Sequence, residues 1–223
     1  MIPLKDRNPT RHFPYVNIAL IGLNILAFLW ELSAAQNLPS LFEQYAVIPA
    51  RITFSWESGI GVMPTLATFF SAMFLHGGWL HLLGNMLYLW VFGDNVEDKL
   101  GHVRYVVFYF VCGIAATLVH VVIEPGSGVP TVGASGAISG VLAAYLLLFP
   151  RARVVTLIPV FIFLQVAELP ALIVLGFWFV LQFFNGLLSL GMNTAGMGGV
   201  AWWAHIGGFA AGFLLVIPLR KYR

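Results

Sequence analysis

The chain has 223 residues, of which 60% are hydrophobic and only 9% charged, and a formal net charge of +2. A soluble domain carries roughly 25% charged residues, so this composition excludes a soluble globular class and points to a polytopic membrane protein with almost no extramembrane mass. The basic residues are scattered among the loops, which leaves no footprint for nucleic acid, and the single cysteine, Cys112, excludes an internal disulfide.

A membrane helix needs about 20 mostly apolar residues. The first is predicted over 16–32, after a short cytoplasmic tail at 1–13. Its apolar run from Tyr15 to Leu32 is too long for the roughly 7–15 residue core of a signal peptide, so it reads as a retained helix. Residues 33–78 read as a long first extracytoplasmic loop, partly embedded in the interface, with Phe54, Trp56, Phe69, Phe70 and Phe74 suited to headgroup level. The second helix is predicted over 79–94, with Gly93-Asp94-Asn95 fraying its end. The third is predicted over 103–123, before a turn-rich loop from Glu124 to Pro130. The fourth spans 134–149. The stretch 154–166 is apolar but carries Pro159 and Gln165, and reads as an interfacial segment. The fifth helix covers 169–188, a Gly-rich loop covers 189–199, and the sixth helix covers 200–219.

The expected fold is therefore an all-α bundle of six transmembrane helices in one domain over 1–223. Six spans put both termini on one side, and the positive-inside rule says which. With the N-terminus cytoplasmic, Lys5, Arg7, Arg11, Lys99, Arg104, Arg151, Arg153, Arg220, Lys221 and Arg223 all fall inside, leaving only Arg51 outside.

Helices two, four and six then all run inward from the outer face. His81 and Asn85 start helix two, Ser135 starts helix four, and His205 lies in the first turns of helix six. Ionisable and polar groups at membrane depth are expensive and mark functional sites. Helix four, at about 15 residues, is only about 22 Å long at 1.5 Å per residue, shorter than a hydrocarbon core of about 30 Å. Its start at Ser135 therefore lies below the outer surface, and irregular backbone such as Gly133 is tolerated there only against protein or a wet cavity.

Gly136 and Gly140 form a GxxxG pair, and His205, Gly208 and Gly212 share a stripe. Such faces serve close helix packing by themselves. They also let the His205 imidazole reach Ser135. A serine hydroxyl is a weak nucleophile that needs a base within hydrogen-bond reach, and the N–H groups at a helix start favour an oxyanion. Glu31, Glu124 and Glu168 are out of place for a third member, so a dyad is expected rather than a triad. His81 and Asn85, at i and i+4, share a face and are suitable oxyanion donors; a structural helix–helix hydrogen bond is the plainer reading. A metal site from His76, His81 and His205 is disfavoured, because positions 76 and 81 do not share a helix face and no carboxylate ligand accompanies them. No cofactor motif is present. The serine does not sit in G-x-S-x-G, since position 137 is Ala.

Three motifs in order, Gly133-Ala134-Ser135-Gly136, His81-Leu82-Leu83-Gly84-Asn85 and Ala204-His205-Ile206-Gly207-Gly208-Phe209-Ala210-Ala211-Gly212, resemble those of the rhomboid intramembrane serine proteases in a compact six-helix bacterial-type form. The resemblance covers nearly the whole chain. It implies Ser135 as nucleophile, His205 as general base, and an oxyanion hole from His81, Asn85 and the Ser135 N–H beside Gly133. It implies membrane-spanning protein substrates cleaved near the outer leaflet and a bilayer as partner, with the bacterial cytoplasmic membrane as the setting. Two departures stand out. Many members carry an aromatic residue four after the serine, where this chain has Ser139. The tryptophan–arginine pair of the first loop is not matched, since Trp56 precedes Glu57. The alternatives are a non-catalytic rhomboid-like protein that binds membrane clients and a small transporter; the chain lacks the paired broken helices of the latter.

Overall fold

The computed structural model describes residues 1–160, 163–190 and 200–219. The six predicted helices are all present: α1 (Tyr15–Ser33), α5 (Trp79–Leu100), α6 (His102–Ile123), α7 (Ser135–Leu148), α8 (Ala171–Leu190) and α9 (Trp202–Leu219). Between α1 and α5 lie three short helices, α2 (Leu38–Tyr45), α3 (Pro49–Ser58) and α4 (Val62–Ser71). By length and composition α1, α6, α8 and α9 are long and apolar enough to cross a membrane. The α7 helix is too short for that measure, and α5 carries a charged C-terminal end. Most of the Gly-rich loop read at 189–199 lies outside the described residues, as do Arg220, Lys221 and Arg223; Ser189 and Leu190 close α8.

The bundle is built around α7. Every residue from Gly136 to Tyr145 is buried, with α5, α6, α8 and α9 packed about it. At 14 residues, α7 is about 21 Å long, shorter than a hydrocarbon core of about 30 Å. Two polar devices lock the neighbouring helices. The buried Glu97 carboxylate accepts the N–H groups of Val16 and Asn17, at 3.1 and 2.8 Å, and so caps α1, which has no side-chain cap of its own. The Arg104 guanidinium donates to the Leu219 carbonyl at the end of α9 at 3.1 Å, as a cation at a helix C-terminus should.

Two segments differ from the sequence expectation. The second helix does not fray at Gly93 but continues to Leu100. Its polar residues have tertiary partners: the Asn95 amide donates to Asp6 Oδ2 at 3.1 Å, Glu97 accepts the Asn17 N–H and Asp98 accepts the His12 N–H at 3.1 Å. The stretch read as an interfacial segment is a hairpin of β2 (Arg153–Val160) and β3 (Phe163–Pro170), joined on its other side by β1 (Ile2–Asp6) in antiparallel order β1-β2-β3. The β-branched run Val154-Val155-Thr156 favours a strand, and Pro159 sits near the hairpin end opposite Leu164. Part of the predicted tail at 1–13 is therefore sheet, pinned by an Arg7–Glu168 ion pair at 2.7 Å.

The sheet is tied to the bundle at Asp6. Its Oδ2 accepts the Tyr145 hydroxyl at 2.6 Å and the Asn95 amide at 3.1 Å. Burial pushes the Asp6 carboxyl up from its ordinary 3.8 to about 6, opposed by the Tyr145 hydrogen bond and reinforced by the Asp94 carboxylate. The folded state thus holds this proton to a higher pH than the unfolded chain, and the Asp6 contribution to stability falls as pH rises from about 4 to about 6. Asp6→Asn abolishes that titration. Thermal unfolding in detergent between pH 4 and pH 7 should show the variant gaining on the wild type as pH rises through this window. Parallel curves would contradict the assignment.

Candidate active site

The site lies where α5, α7, α8 and α9 meet at the N-terminal end of α7. Close packing makes it possible. A Cβ on Gly208 or Gly212 of α9 would strike the backbone carbonyls of Gly136 and Gly140 on α7, and one on Gly136 would lie 2.7 Å from Ala116 Cβ on α6. The small stripes read from the sequence therefore face each other, and α7 and α9 meet backbone to backbone. This brings His205 Nε2 to 2.8 Å from Ser135 Oγ, the pairing expected from the sequence. The other imidazole nitrogen, Nδ1, lies 2.7 Å from Gln182 Oε1 on α8.

Gly133 is φ +124°, a conformation closed to most side chains, and its N–H donates to the Ala72 carbonyl at 2.8 Å. A Cβ there would sit 2.7 Å from His81 Nε2 and 3.6 Å from Ser135 Oγ. Gly133 therefore contributes the open space between these two groups rather than a free donor. The Ser135 N–H stands at the start of α7, which no side chain caps, and the first N–H groups of a helix have no partner within it. The exposed His81 and the buried Asn85 lie on one face of α5, with the Asn85 amide donating to the His81 carbonyl at 3.1 Å. All five predicted site residues line one cavity of about 870 Å³, together with Trp178, Gln182 and Trp202.

The structure separates the other candidates from the dyad. Glu31 accepts the His76 N–H at 2.8 Å, Glu168 pairs with Arg7, and Glu124 ends α6. His76 and His81 are in edge contact at 5.1 Å between ring centroids, and among the described residues no group of His, Cys, Asp or Glu could hold a metal. The Ser139 hydroxyl donates to the Ser135 carbonyl one turn back, at 2.6 Å. The rings near His205 are instead Trp178 at 6.0 Å and Trp202 at 6.2 Å between centroids. Sequence reasoning missed Gln182 and Trp202, and read Trp178 only as part of an apolar wall on the fifth helix. The available signal was Trp178 and Gln182 at i and i+4, on one face of a mostly apolar helix.

The family model of the Rhomboid domain matches residues 64–222. The chain belongs to the rhomboid family. It is 33% identical over 152 residues to RHOMBOID-like protein 5 of Arabidopsis thaliana, covering 67% of this chain and 43% of that protein. It is 30% identical over 199 residues to the mitochondrial presenilin-associated rhomboid-like protein of Mus musculus, covering 85% and 44%. It is 29% identical over 205 residues to mitochondrial rhomboid protein 1 of Saccharomyces cerevisiae, covering 88% and 51%. The chain thus spans about half the length of these curated relatives or less. Family and helices together make it a multi-pass integral membrane protein. These relatives are plant and mitochondrial proteins, so they lend no support to the bacterial setting.

Because the site depends on contact between α7 and α9, Gly208→Ala should cost about 1–3 kcal/mol through overpacking. Gly176 of α8 has nothing within 4 Å of an added Cβ, so Gly176→Ala should leave the melting temperature unchanged or raise it. Thermal unfolding of both purified variants in detergent checks the contrast.

Proposed function

We propose that this rhomboid is an intramembrane serine endopeptidase that cleaves membrane-spanning protein substrates near the outer leaflet. The observation that carries the reading is the 2.8 Å approach of His205 Nε2 to Ser135 Oγ inside a cavity at the start of a short, buried helix. In this reading His205 accepts the hydroxyl proton as Ser135 Oγ attacks the scissile carbonyl. The oxyanion is met by the Ser135 N–H, the His81 imidazole and the Asn85 amide, with Gly133 keeping the space open. Collapse expels the amine, which takes the proton from His205, and water then hydrolyses the acyl-enzyme.

The substrate must offer an unwound backbone, because an intact helix hides its carbonyls and each unsatisfied group in lipid costs several kcal/mol. A wet cavity lowers that cost. The reading therefore favours substrates with a small residue at the cut and a helix-weakening Gly or Pro further into the membrane. Entry is lateral, beside α8. Phe177, Phe183 and Phe184 on that helix are exposed, whereas Phe179 packs inward on Phe209 at 4.4 Å between centroids. The distribution of basic residues supports both termini being cytoplasmic. No cofactor, metal or nucleic acid enters the mechanism. A non-catalytic client-binding role is the second reading; the intact Ser135–His205 pair weighs against it.

The test is cleavage of a single-span substrate by purified protein. Ser135→Ala and His205→Ala should each abolish cleavage with the fold retained. His81→Ala should lower turnover by up to the order of 10²–10³, the cost of losing one oxyanion donor in a soluble protease. Cleavage surviving in either dyad variant would remove the reading.

A further inference from the structure

The His205 imidazole is held from the far side. Its Nδ1 lies 2.7 Å from Gln182 Oε1, and Gln182 is only 8% exposed although it sits in an apolar helix. A buried amide in such a helix is costly unless it is hydrogen-bonded. A carbonyl oxygen only accepts, so this contact requires the proton to sit on Nδ1. Nε2 is then left with its lone pair, aimed at the Ser135 hydroxyl at 2.8 Å. The opposite tautomer would put N–H on Nε2 and leave nothing to receive the serine proton. Among the described residues no carboxylate stands in this place: Glu31 and Glu168 are engaged with His76 and Arg7. One turn after the serine stands Ser139, whose hydroxyl donates to the Ser135 carbonyl.

We propose that Gln182 is the positioning residue of the dyad. It fixes the His205 tautomer and ring orientation through an uncharged acceptor, aided by Trp178 on the same face of α8. This rests on the protease reading above. It also makes α8 part of the machinery: Ser135, His205 and Gln182 come from three separate helices, so the base is correctly set only while α8 is seated against α9.

The experiment compares Gln182→Leu and Gln182→Glu with wild type in detergent, reading two rates. One is turnover of a spanning substrate. The other is phosphonylation of Ser135 by a small fluorophosphonate, which needs an activated serine but no helix entering past α8. Gln182→Leu keeps the bulk and removes the acceptor, so the protein should fold with an unchanged or raised melting temperature. Its kcat and its labelling rate should fall on the order of 10- to 100-fold, less than the roughly 10⁴-fold of a wrong-tautomer change in a soluble Ser–His–Asp protease, since no charge is lost. KM should stay the same. Gln182→Glu restores an acceptor at the same reach and should recover both rates to within about threefold of wild type. Labelling of Gln182→Leu at the wild-type rate overturns the proposal while leaving the protease reading intact. So does slow labelling of Gln182→Glu when it is folded. A wild type that neither labels nor cleaves overturns the protease reading itself.

Discussion

The contact on which this molecule depends is between two backbones. Gly136 and Gly140 of α7 face Gly208 and Gly212 of α9 so closely that no side chain fits between them. In lipid there is no hydrophobic force to join helices, and close van der Waals packing has to do so. The same contact fixes the distance from Ser135 at the start of one helix to His205 near the start of the other. Packing and the Ser135–His205 approach thus share one set of residues, and a methyl group in the seam would disturb both.

Around that seam, polar groups are used sparingly and in pairs. Glu97 caps α1 from α5, Asn17 meets Tyr105, and Asp6 ties the sheet to Tyr145 and Asn95. These locks lie toward the sheet end of the bundle. Where α7 begins, the arrangement is looser: Gly133 at positive φ, an uncapped helix start and a cavity. There the Ser135 N–H has no partner within the helix, and the Ser135 hydroxyl is held against His205 at 2.8 Å.

The sequence made the helices and the dyad legible for a physical reason. Apolar runs of membrane length have few alternative folds, and a histidine within such a run is a candidate functional residue. It was a poorer guide wherever a tertiary partner reverses a local preference. Gly93-Asp94-Asn95 reads as a helix stop, yet α5 passes through it: Gly93 leaves room for Asn17 and Tyr105, and Asp6 accepts the Asn95 amide. Pro159 argues against a strand, yet the hairpin tolerates it near its end. Gln182 looked like one more polar residue in a membrane helix; only the fold reveals that it faces His205. Gly133 was legible as special, but its own N–H turned out to be spent on Ala72.

The central claim is that Ser135 is a nucleophile made reactive by His205. Purified wild-type protein treated with a fluorophosphonate, digested and analysed by mass spectrometry tests it most directly. The account predicts a single serine adduct, on Ser135, whose formation is lost in His205→Ala while that variant remains folded. An adduct on another serine, or Ser135 labelling at an undiminished rate without His205, would contradict it.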